Sequence, residues 1–161
     1  NLEEEVDRLK NYMDLEKLRM EDKFDYQIEI DEEVESEYVL IPSMIIQPFV
    51  ENSIWHGIAN LEKQGIIGIS FLLQDEKSLQ ITIEDTGIGL KNAEKFRTGD
   101  NQHLKLGMNI TRKRLELLSQ KYGIEAGFEY SEKSPGTPNP GTKVVIIVPL
   151  LFGKSEINQD I

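Results

Sequence analysis

Cysteine is absent from this chain of 161 residues. Its absence excludes disulfides, thiolate metal sites and cysteine nucleophiles, and it is compatible with a reducing compartment such as the cytosol. Long apolar runs are absent too, since the longest, Val144 to Phe152, is interrupted by Pro149. This run is far shorter than the ~20 apolar residues that span a bilayer. The sequence therefore predicts no membrane-spanning helix.

An excess of positive charge is also lacking. The chain has 29 acidic and 18 basic residues, which gives a formal net charge of −11. Such a surface repels nucleic acids and anionic membranes, and this argues against both as partners. An anionic ligand would therefore need a local positive site. The hydrophobic content of 39% and the length fit one well-buried domain plus an appendage.

The chain begins at Asn1 within a helical pattern, with neither an initial methionine nor a signal peptide. We therefore expect a fragment of a longer protein. Residues 1–22 are predicted to form an amphipathic helix, because apolar residues recur at alternating steps of four and three. Glu16 occupies the one position of this series that is not apolar. The apolar residues are Leu2, Val6, Leu9, Met13 and Met20. Two arrangements fit this stripe: a helical hairpin or two-chain coiled coil, or a helix packed on the domain.

The remaining pattern predicts the order strand, helix, two strands, loop, helix, two strands. The predicted strands are 24–30, 66–73, 79–84, a short one around 128–130, and 142–150; the predicted helices are 44–58 and 107–122, and 90–105 is predicted to be a loop or lid. A helix layer on one face of a largely antiparallel sheet is the simplest architecture for this order. We therefore predict an α/β (α+β) two-layer sandwich with an N-terminal helix, followed by a frayed tail.

The first stretch with polar residues suited to a ligand is the predicted helix 44–58. Asn52 and His56 lie one turn apart on it, beside an apolar face. The amide oxygen of Asn52 is suited to be one ligand of a largely hydrated Mg²⁺ that phosphate oxygens complete. The alternative is an asparagine that is buried for structural reasons.

Two further stretches complete a possible nucleotide site. Asp85-Thr86-Gly87-Ile88-Gly89 follows a predicted strand, and Leu106-Gly107-Met108 is predicted to open a helix. The carboxylate can accept a hydrogen bond from an amine, the glycines let the backbone bend around a base, and a helix start presents amide donors to phosphates. Taken singly, these are an ordinary turn and a routine helix start, whereas together they describe an adenine nucleotide site.

These motifs resemble the N, G1 and G2 boxes and the final strand of the Bergerat-fold ATPases. The matching segments are Glu51-Asn52-Ser53-Ile54-Trp55-His56-Gly57, Asp85-Thr86-Gly87-Ile88-Gly89-Leu90, Leu106-Gly107-Met108 and Gly141-Thr142. Within that superfamily the chain resembles the LytS/YehU-like sensor histidine kinases, through Tyr12-Met13-Asp14-Leu15-Glu16-Lys17-Leu18-Arg19 and the run from Ile41-Pro42 to Asn52. The resemblance extends from about residue 10 to residue 150.

The resemblance implies a site for Mg²⁺-ATP between the helices and a mobile lid. In it Asn52 coordinates Mg²⁺, His56 approaches the phosphates, and Asp85 contacts the adenine amine with Thr142 beside it. Gly87 and Gly89 form the near edge of the lid, and the residues that close it over the triphosphate are Lys105, Leu106, Gly107 and Met108.

One departure from related ATPases favours phosphoryl transfer over hydrolysis. In hydrolytic members a glutamate one turn before the metal-binding asparagine activates water, and here that position is Pro48. Transfer to a nucleophilic imidazole needs mainly positioning and charge neutralisation. Glu51 points about 100° away from Asn52 around the helix, so we consider it only as an orienting group or base.

The resemblance also implies partners. Residues 1–22 would be the second helix of a dimerisation hairpin, 23–153 the ATP-binding kinase domain and 154–161 a flexible tail. Such kinases carry the phosphoacceptor histidine on a preceding helix, yet the only histidines are His56 and His103. We therefore expect a cytoplasmic domain of a homodimeric, membrane-anchored parent that phosphorylates a response regulator. A Bergerat-fold ATPase, an anti-sigma-type serine kinase and a nucleotide-responsive interaction module remain as alternatives.

Overall fold

A computed structural model of the chain describes residues 1–89 and 102–153, and the side chains in these ranges other than those of residues 102–106. Helix α1 spans Leu2–Arg19 and is capped by Asn1, whose Oδ1 accepts a hydrogen bond from the Glu4 amide at 2.9 Å. The helix is shorter than predicted because Glu21 and Asp22 adopt left-handed backbone angles that a helix does not continue.

The apolar stripe of α1 packs on the domain. Its members, Leu2, Val6, Leu9 and Met13, are buried in the same core cluster as the sheet residues. Two polar contacts tie α1 to the first strand: Lys17 Nζ lies 3.1 Å from Asp25 Oδ1, and the Tyr26 hydroxyl donates to Asp14 Oδ1 at 2.7 Å. Of the two arrangements predicted for the stripe, packing on the domain is the one found.

The main sheet has five strands, with the bounds β1 Phe24–Ile30, β3 Gly65–Leu73, β4 Ser78–Asp85, β5 Gly127–Glu132 and β6 Thr142–Pro149. Their spatial order is β1-β3-β4-β6-β5. The β1–β3 pair is parallel and the other pairs are antiparallel. A separate antiparallel pair, β2 Val39–Leu40 with β7 Leu151–Phe152, was not predicted, since two-residue strands leave no periodic pattern.

The sheet is covered by helices on one face. Side chains at alternating positions of β3, β4 and β6 are buried in the core; examples are Ile67, Ile69, Phe71, Ile81, Ile83, Val144 and Ile146. On the opposite face Ile66 is 52% exposed, and Glu84 pairs with Lys133 and Lys143. The predicted two-layer α/β sandwich is confirmed.

The helix that carries Asn52 starts later than predicted. Helix α2 spans Gln47–Asn52, and a π-helical segment, Ser53–Ile58, continues it. Met44 has a left-handed φ of 56°, which is incompatible with a helix start there. Pro48 in the first turn suits this later start, because the amide that proline lacks would have no intrahelical partner at that position.

Helix α3 spans Gln102–Tyr122, so it starts before the predicted Gly107. The prediction that Leu106-Gly107-Met108 opens this helix is therefore wrong. The apolar pattern did not reveal the first turn because Leu104 is its single apolar residue. Residues 90–101 of the predicted lid lie outside the described residues, and residues 102–105 are helical. In the part of the chain that the structure describes, no helix is long and apolar enough to cross a membrane.

Candidate functional site

The π-helical segment brings Gly57 against the end of β4. The Ala59 amide donates to the Ile54 carbonyl at 2.8 Å, a five-residue spacing that widens the helix. A Cβ on Gly57 would lie 3.1 Å from Asp85 Oδ1 and 3.3 Å from Oδ2. The absence of a side chain at residue 57 thus lets the helix backbone approach the buried carboxyl group directly.

Close contacts of four glycines hold this helix and the loops beside it together. A Cβ on Gly87 would lie 2.5 Å from Gly57 Cα, and the Ile88 amide donates to the Gly57 carbonyl at 3.1 Å. The Gly141 amide donates to the Gly87 carbonyl at 3.0 Å. Gly89 has a φ of 80° and lies against Pro140, so a side chain there would be both strained and obstructed.

Asp85 is the buried acid of the site, with 1% of its surface exposed. Its Oδ1 accepts hydrogen bonds from the amides of Gly87 at 2.9 Å and Thr142 at 3.1 Å. Its Oδ2 is buried and has no hydrogen-bond partner among the described residues. Burial raises the pKa of this carboxyl, although these two amides and the hydroxyls of Ser53 and Thr142 oppose the rise. Oδ1 is therefore fixed by two backbone amides, whereas Oδ2 is buried without a backbone donor in the described part of the chain and has only the Ser53 and Thr142 hydroxyls near the carboxyl.

Asn52 lies on the neighbouring turn of the helix and faces α3 and β5. Its Nδ2 donates to the Tyr130 hydroxyl at 3.2 Å and to Met108 Sδ at 3.3 Å. The Tyr130 ring packs in turn against Phe49, with ring centroids 6.1 Å apart, and against Phe128 at 5.8 Å. The predicted metal ligand is thus held by residues from two other elements, α3 and β5.

Sequence reasoning missed Tyr130 and Arg112. Burial raises the pKa of Tyr130 to about 12, and the hydrogen bond with Asn52 and the charge of Arg112 oppose this rise. The Arg112 guanidinium lies 4.5 Å from the centroid of the Phe128 ring, so a positive charge lies near the Tyr130–Asn52 pair. The alternation of Phe128 and Tyr130 along one strand was the available signal, because residues two apart share a face.

Glu51 and Trp55 face α1. Gln47 Nε2 donates to Glu51 Oε1 at 2.9 Å. Burial, and then the charge of Glu51, raise the pKa of Tyr12 on α1. The Arg19 guanidinium lies 5.7 Å from the centre of the Trp55 ring. The structure therefore directs Glu51 away from the side of the helix that carries Asn52.

The remaining predicted site residues lie on the π-helical segment and on α3. His56 is half-buried on the π-helical segment. Gly107 lies within α3, where its carbonyl accepts a hydrogen bond from the Thr111 hydroxyl at 3.0 Å, so its amide is not at a helix start. The side chains of Lys105 and Leu106 lie outside the described part.

The side chains around Asn52 and Asp85 fit the two predicted ligands, Mg²⁺ and the adenine of ATP. No group of three or more acidic or histidine side chains that could hold a metal occurs among the described residues. Asn52 as a single ligand fits Mg²⁺, which keeps waters and takes phosphate oxygens. The Oδ2 of Asp85, which lacks a donor, fits the exocyclic amine of adenine.

The chain is similar to known sensor histidine kinases. It is 33% identical to the sensor histidine kinase YpdA of Escherichia coli over 94% of this chain and 27% of that protein. It is 25% identical to the sensor histidine kinase/phosphatase LytS of Staphylococcus aureus over 84% of this chain and 23% of LytS. The chain thus spans about a quarter of the length of these relatives. No family model matches it.

The fold is similar to that of solved histidine kinases. The catalytic domain of histidine kinase ThkA has a TM-score of 0.61 at 18% identity, over 93% of this chain and 95% of that domain. A second ThkA structure, in complex with the response regulator protein TrrA, has a TM-score of 0.51 at 16% identity, over 93% of this chain and 40% of that one. At this identity the likeness shows the fold.

Proposed function

We propose that this chain, whose homologues are sensor histidine kinases and whose fold is that of histidine kinase catalytic domains, binds Mg²⁺-ATP and donates the γ-phosphate to a histidine. The resemblance predicted from the motifs is confirmed at the level of homology and fold. Because the chain spans about a quarter of its relatives, the activity of the intact protein is part of the proposal.

The observation that carries the proposal is the buried Oδ2 of Asp85. Native structures rarely leave a buried carboxylate oxygen without a donor, unless a water or ligand supplies it. We assign the adenine amine as that donor. Gly57 and Gly87 let the backbone close around the carboxyl, and Thr142 lies beside it through its amide.

On the phosphate side, Asn52 Oδ1 would hold Mg²⁺. The cation would neutralise charge on the phosphates when it is bound. Arg112 adds a fixed positive charge nearby, and we assign His56, Lys105, Leu106, Gly107 and Met108 to the phosphate side as the motifs predict. These groups orient the nucleotide and neutralise its charge, and neither task requires a protein base.

The arrangement of the helix favours transfer over hydrolysis. Pro48 offers no carboxylate one turn before Asn52, and Glu51 is engaged by Gln47 on the side that faces α1. No described side chain is thus assigned to deprotonate water, whereas a histidine acceptor is itself a nucleophile. The homologues do not favour the hydrolytic ATPase, the serine kinase or the interaction module.

We further propose that the acceptor histidine and the response regulator are supplied from outside this chain. ThkA has been solved with a response regulator protein, which supports this class of partner. Dimerisation would involve α1, whose apolar stripe is already buried in the domain, so its other face would have to meet the second copy. Anchoring of the parent to a membrane remains a prediction from the resemblance.

The adenine contact is tested with Asp85→Asn. An asparagine can keep its Oδ1 on the Gly87 and Thr142 amides while it replaces the acceptor Oδ2 with a donor. We expect ATP affinity, measured by calorimetry with Mg²⁺ present, to fall about tenfold or more, because a hydrogen bond to a charged group contributes about 1.5–3 kcal/mol.

Glu84→Gln is the matched control, because Glu84 precedes Asp85 on the strand and pairs with lysines on the opposite face. We expect it to bind ATP as the unchanged chain does. Equal ATP affinity of Asp85→Asn and the unchanged chain would overturn the assigned adenine contact.

A further inference from the structure

The side-chain amide of Asn52 has a defined orientation in the structure. Its nitrogen lies 3.2 Å from the Tyr130 hydroxyl and 3.3 Å from Met108 Sδ. An amide carries its nitrogen and oxygen on opposite sides of Cγ, so these contacts turn Oδ1 away from Tyr130 and Met108. Oδ1 is the atom that a hard cation prefers.

The hydrogen bonds among Asn52, Tyr130 and Met108 are consistent with a single orientation of the Asn52 side-chain amide. Asn52 Nδ2 donates to the tyrosine oxygen, and the Tyr130 hydroxyl can donate onward to Met108 Sδ at 3.6 Å. The thioether sulfur only accepts, so it selects the nitrogen of the amide over its oxygen. A flipped amide would place Oδ1 against the sulfur and lose one contact.

Tyr130 itself is held firmly. Phe49, which precedes Asn52 on the same helix, and Phe128, on the same strand as Tyr130, pack with their ring centroids 4.9 Å apart, and both contact the tyrosine ring. A phenol carries its proton at neutral pH without any help from its surroundings. The hydroxyl is thus a neutral group on a fixed ring.

We propose that the Tyr130 hydroxyl, assisted by Met108 Sδ, is a positioning group that holds the Asn52 amide with Oδ1 presented to the Mg²⁺-phosphate moiety of the nucleotide. The inference rests on the proposed function. It adds a residue on β5, outside the nucleotide motifs, that sets the metal affinity of the site. Its effect is specific to Mg²⁺, because Tyr130 is assigned no contact with the adenine end.

The test uses Tyr130→Phe, which keeps the ring and its aromatic neighbours and removes only the oxygen. In the metal-free protein, the side-chain amide resonances of Asn52 in a ¹⁵N spectrum should shift and exchange faster. The Mg²⁺ concentration that half-saturates the gain in ATP affinity should rise about threefold to tenfold, as expected for one net hydrogen bond. ATP affinity without Mg²⁺ should be unchanged.

Tyr26→Phe is the matched control, since its hydroxyl bonds Asp14 at the α1–β1 contact, and both readouts should stay as in the unchanged chain. Met108→Leu removes the other acceptor with Tyr130 intact and should shift the same amide resonances, which keeps the proposal testable if Tyr130→Phe fails to fold.

Asn52→Ala separates this inference from the proposed function. If Asn52→Ala weakens the Mg²⁺ dependence of ATP binding and Tyr130→Phe does not, the positioning role is wrong and the metal role of Asn52 stands. If Asn52→Ala leaves the Mg²⁺ dependence unchanged, the metal ligand assignment is wrong, and the inference falls with it. Unchanged Asn52 resonances in both Tyr130→Phe and Met108→Leu would also overturn the positioning role.

Discussion

At the scale of single residues, one of the close approaches in the site is between two glycine backbones. A Cβ on Gly87 would lie 2.5 Å from both Cα and the carbonyl carbon of Gly57, and real Cβ atoms are essentially never found that close to another atom. Any side chain at residue 87 must therefore push the π-helical segment away from the end of β4. That movement would also disturb Asp85, which bonds the Gly87 amide.

This contact gives a prediction for Gly87→Ala. We expect lower thermal stability, because overpacking of a close contact typically costs about 1–3 kcal/mol, and we expect loss of measurable ATP binding. Gly68→Ala is the control, since a Cβ on Gly68 meets no described atom within 4 Å. Differential scanning calorimetry and ATP titration check both variants. A Gly87→Ala protein with unchanged melting temperature and ATP affinity would contradict the described packing.

The sequence identified some site residues and not others for physical reasons. Asp85, Gly87 and Thr142 are brought together as the motifs suggested, because a strand end and a glycine turn have strong local signals. For Tyr130 the alternation with Phe128 indicates only a shared strand face, because its contact with Asn52 comes from a strand far along the chain. The contacts of these residues with ATP remain predictions, which the Asp85, Asn52 and Gly87 variants test.

At the scale of elements, the switch from α-helix to π-helix after Asn52 could not be read from the sequence. Spacings of three and four fit both helix types over such a short segment, and the wider turn is stabilised by tertiary contact with Asp85 and Gly87. The early start of α3 was missed as well, because Leu104 is the single apolar residue of its first turn. A polar run between motifs reads as a loop even when it is helical.

Helix α1 carries a buried charge that does not suit its apolar stripe. Glu16 is 5% exposed, its Oε1 accepts from Arg19 at 2.8 Å, and its Oε2 is buried without a hydrogen-bond partner among the described residues. The guanidinium of Arg19 is largely exposed, so water can solvate it if the pair is lost. The burial of Glu16 therefore costs free energy that the single ion pair does not fully offset.

We expect Glu16→Met to stabilise the fold by about 1 kcal/mol or more, because the substitution extends the apolar stripe and removes the buried oxygen without a partner. Urea unfolding monitored by circular dichroism measures the change. Glu4→Met, at an exposed position of the same helix, is the control and should change the free energy of unfolding little. A Glu16→Met protein that is less stable than the unchanged chain would contradict this account of α1.

At the scale of the whole molecule, the fold class was predictable because the alternating apolar pattern fixes which face of each strand is buried. The parallel pairing of β1 with β3 was not predictable, since strand pairing partners depend on how the chain crosses between them. The burial of the α1 stripe in the domain core was one of the two arrangements that the sequence pattern left undecided. Only the packing with Phe24 and the helices decided between them.

The net negative charge of the chain disfavours polyanionic partners. The positive charge of Arg112, near Phe128 and Tyr130, suits a single anionic ligand at the proposed site. Among the described residues, Pro48 stands one turn before Asn52, where the hydrolytic relatives carry a glutamate, and this favours the proposed phosphate donor over a hydrolase. The proposed reaction transfers phosphate from a bound nucleotide to a group outside the chain.

The most direct test is transfer of label from γ-³²P-ATP, with Mg²⁺, to a separately supplied histidine-bearing helix of the parent protein. We predict that the helix becomes labelled on histidine, with the acid-labile and base-stable phosphate typical of that residue, and that Asn52→Ala abolishes the labelling. Label on serine, or ATP that binds and is hydrolysed without labelling the helix, would contradict the claim that this chain is a donor of phosphate to histidine.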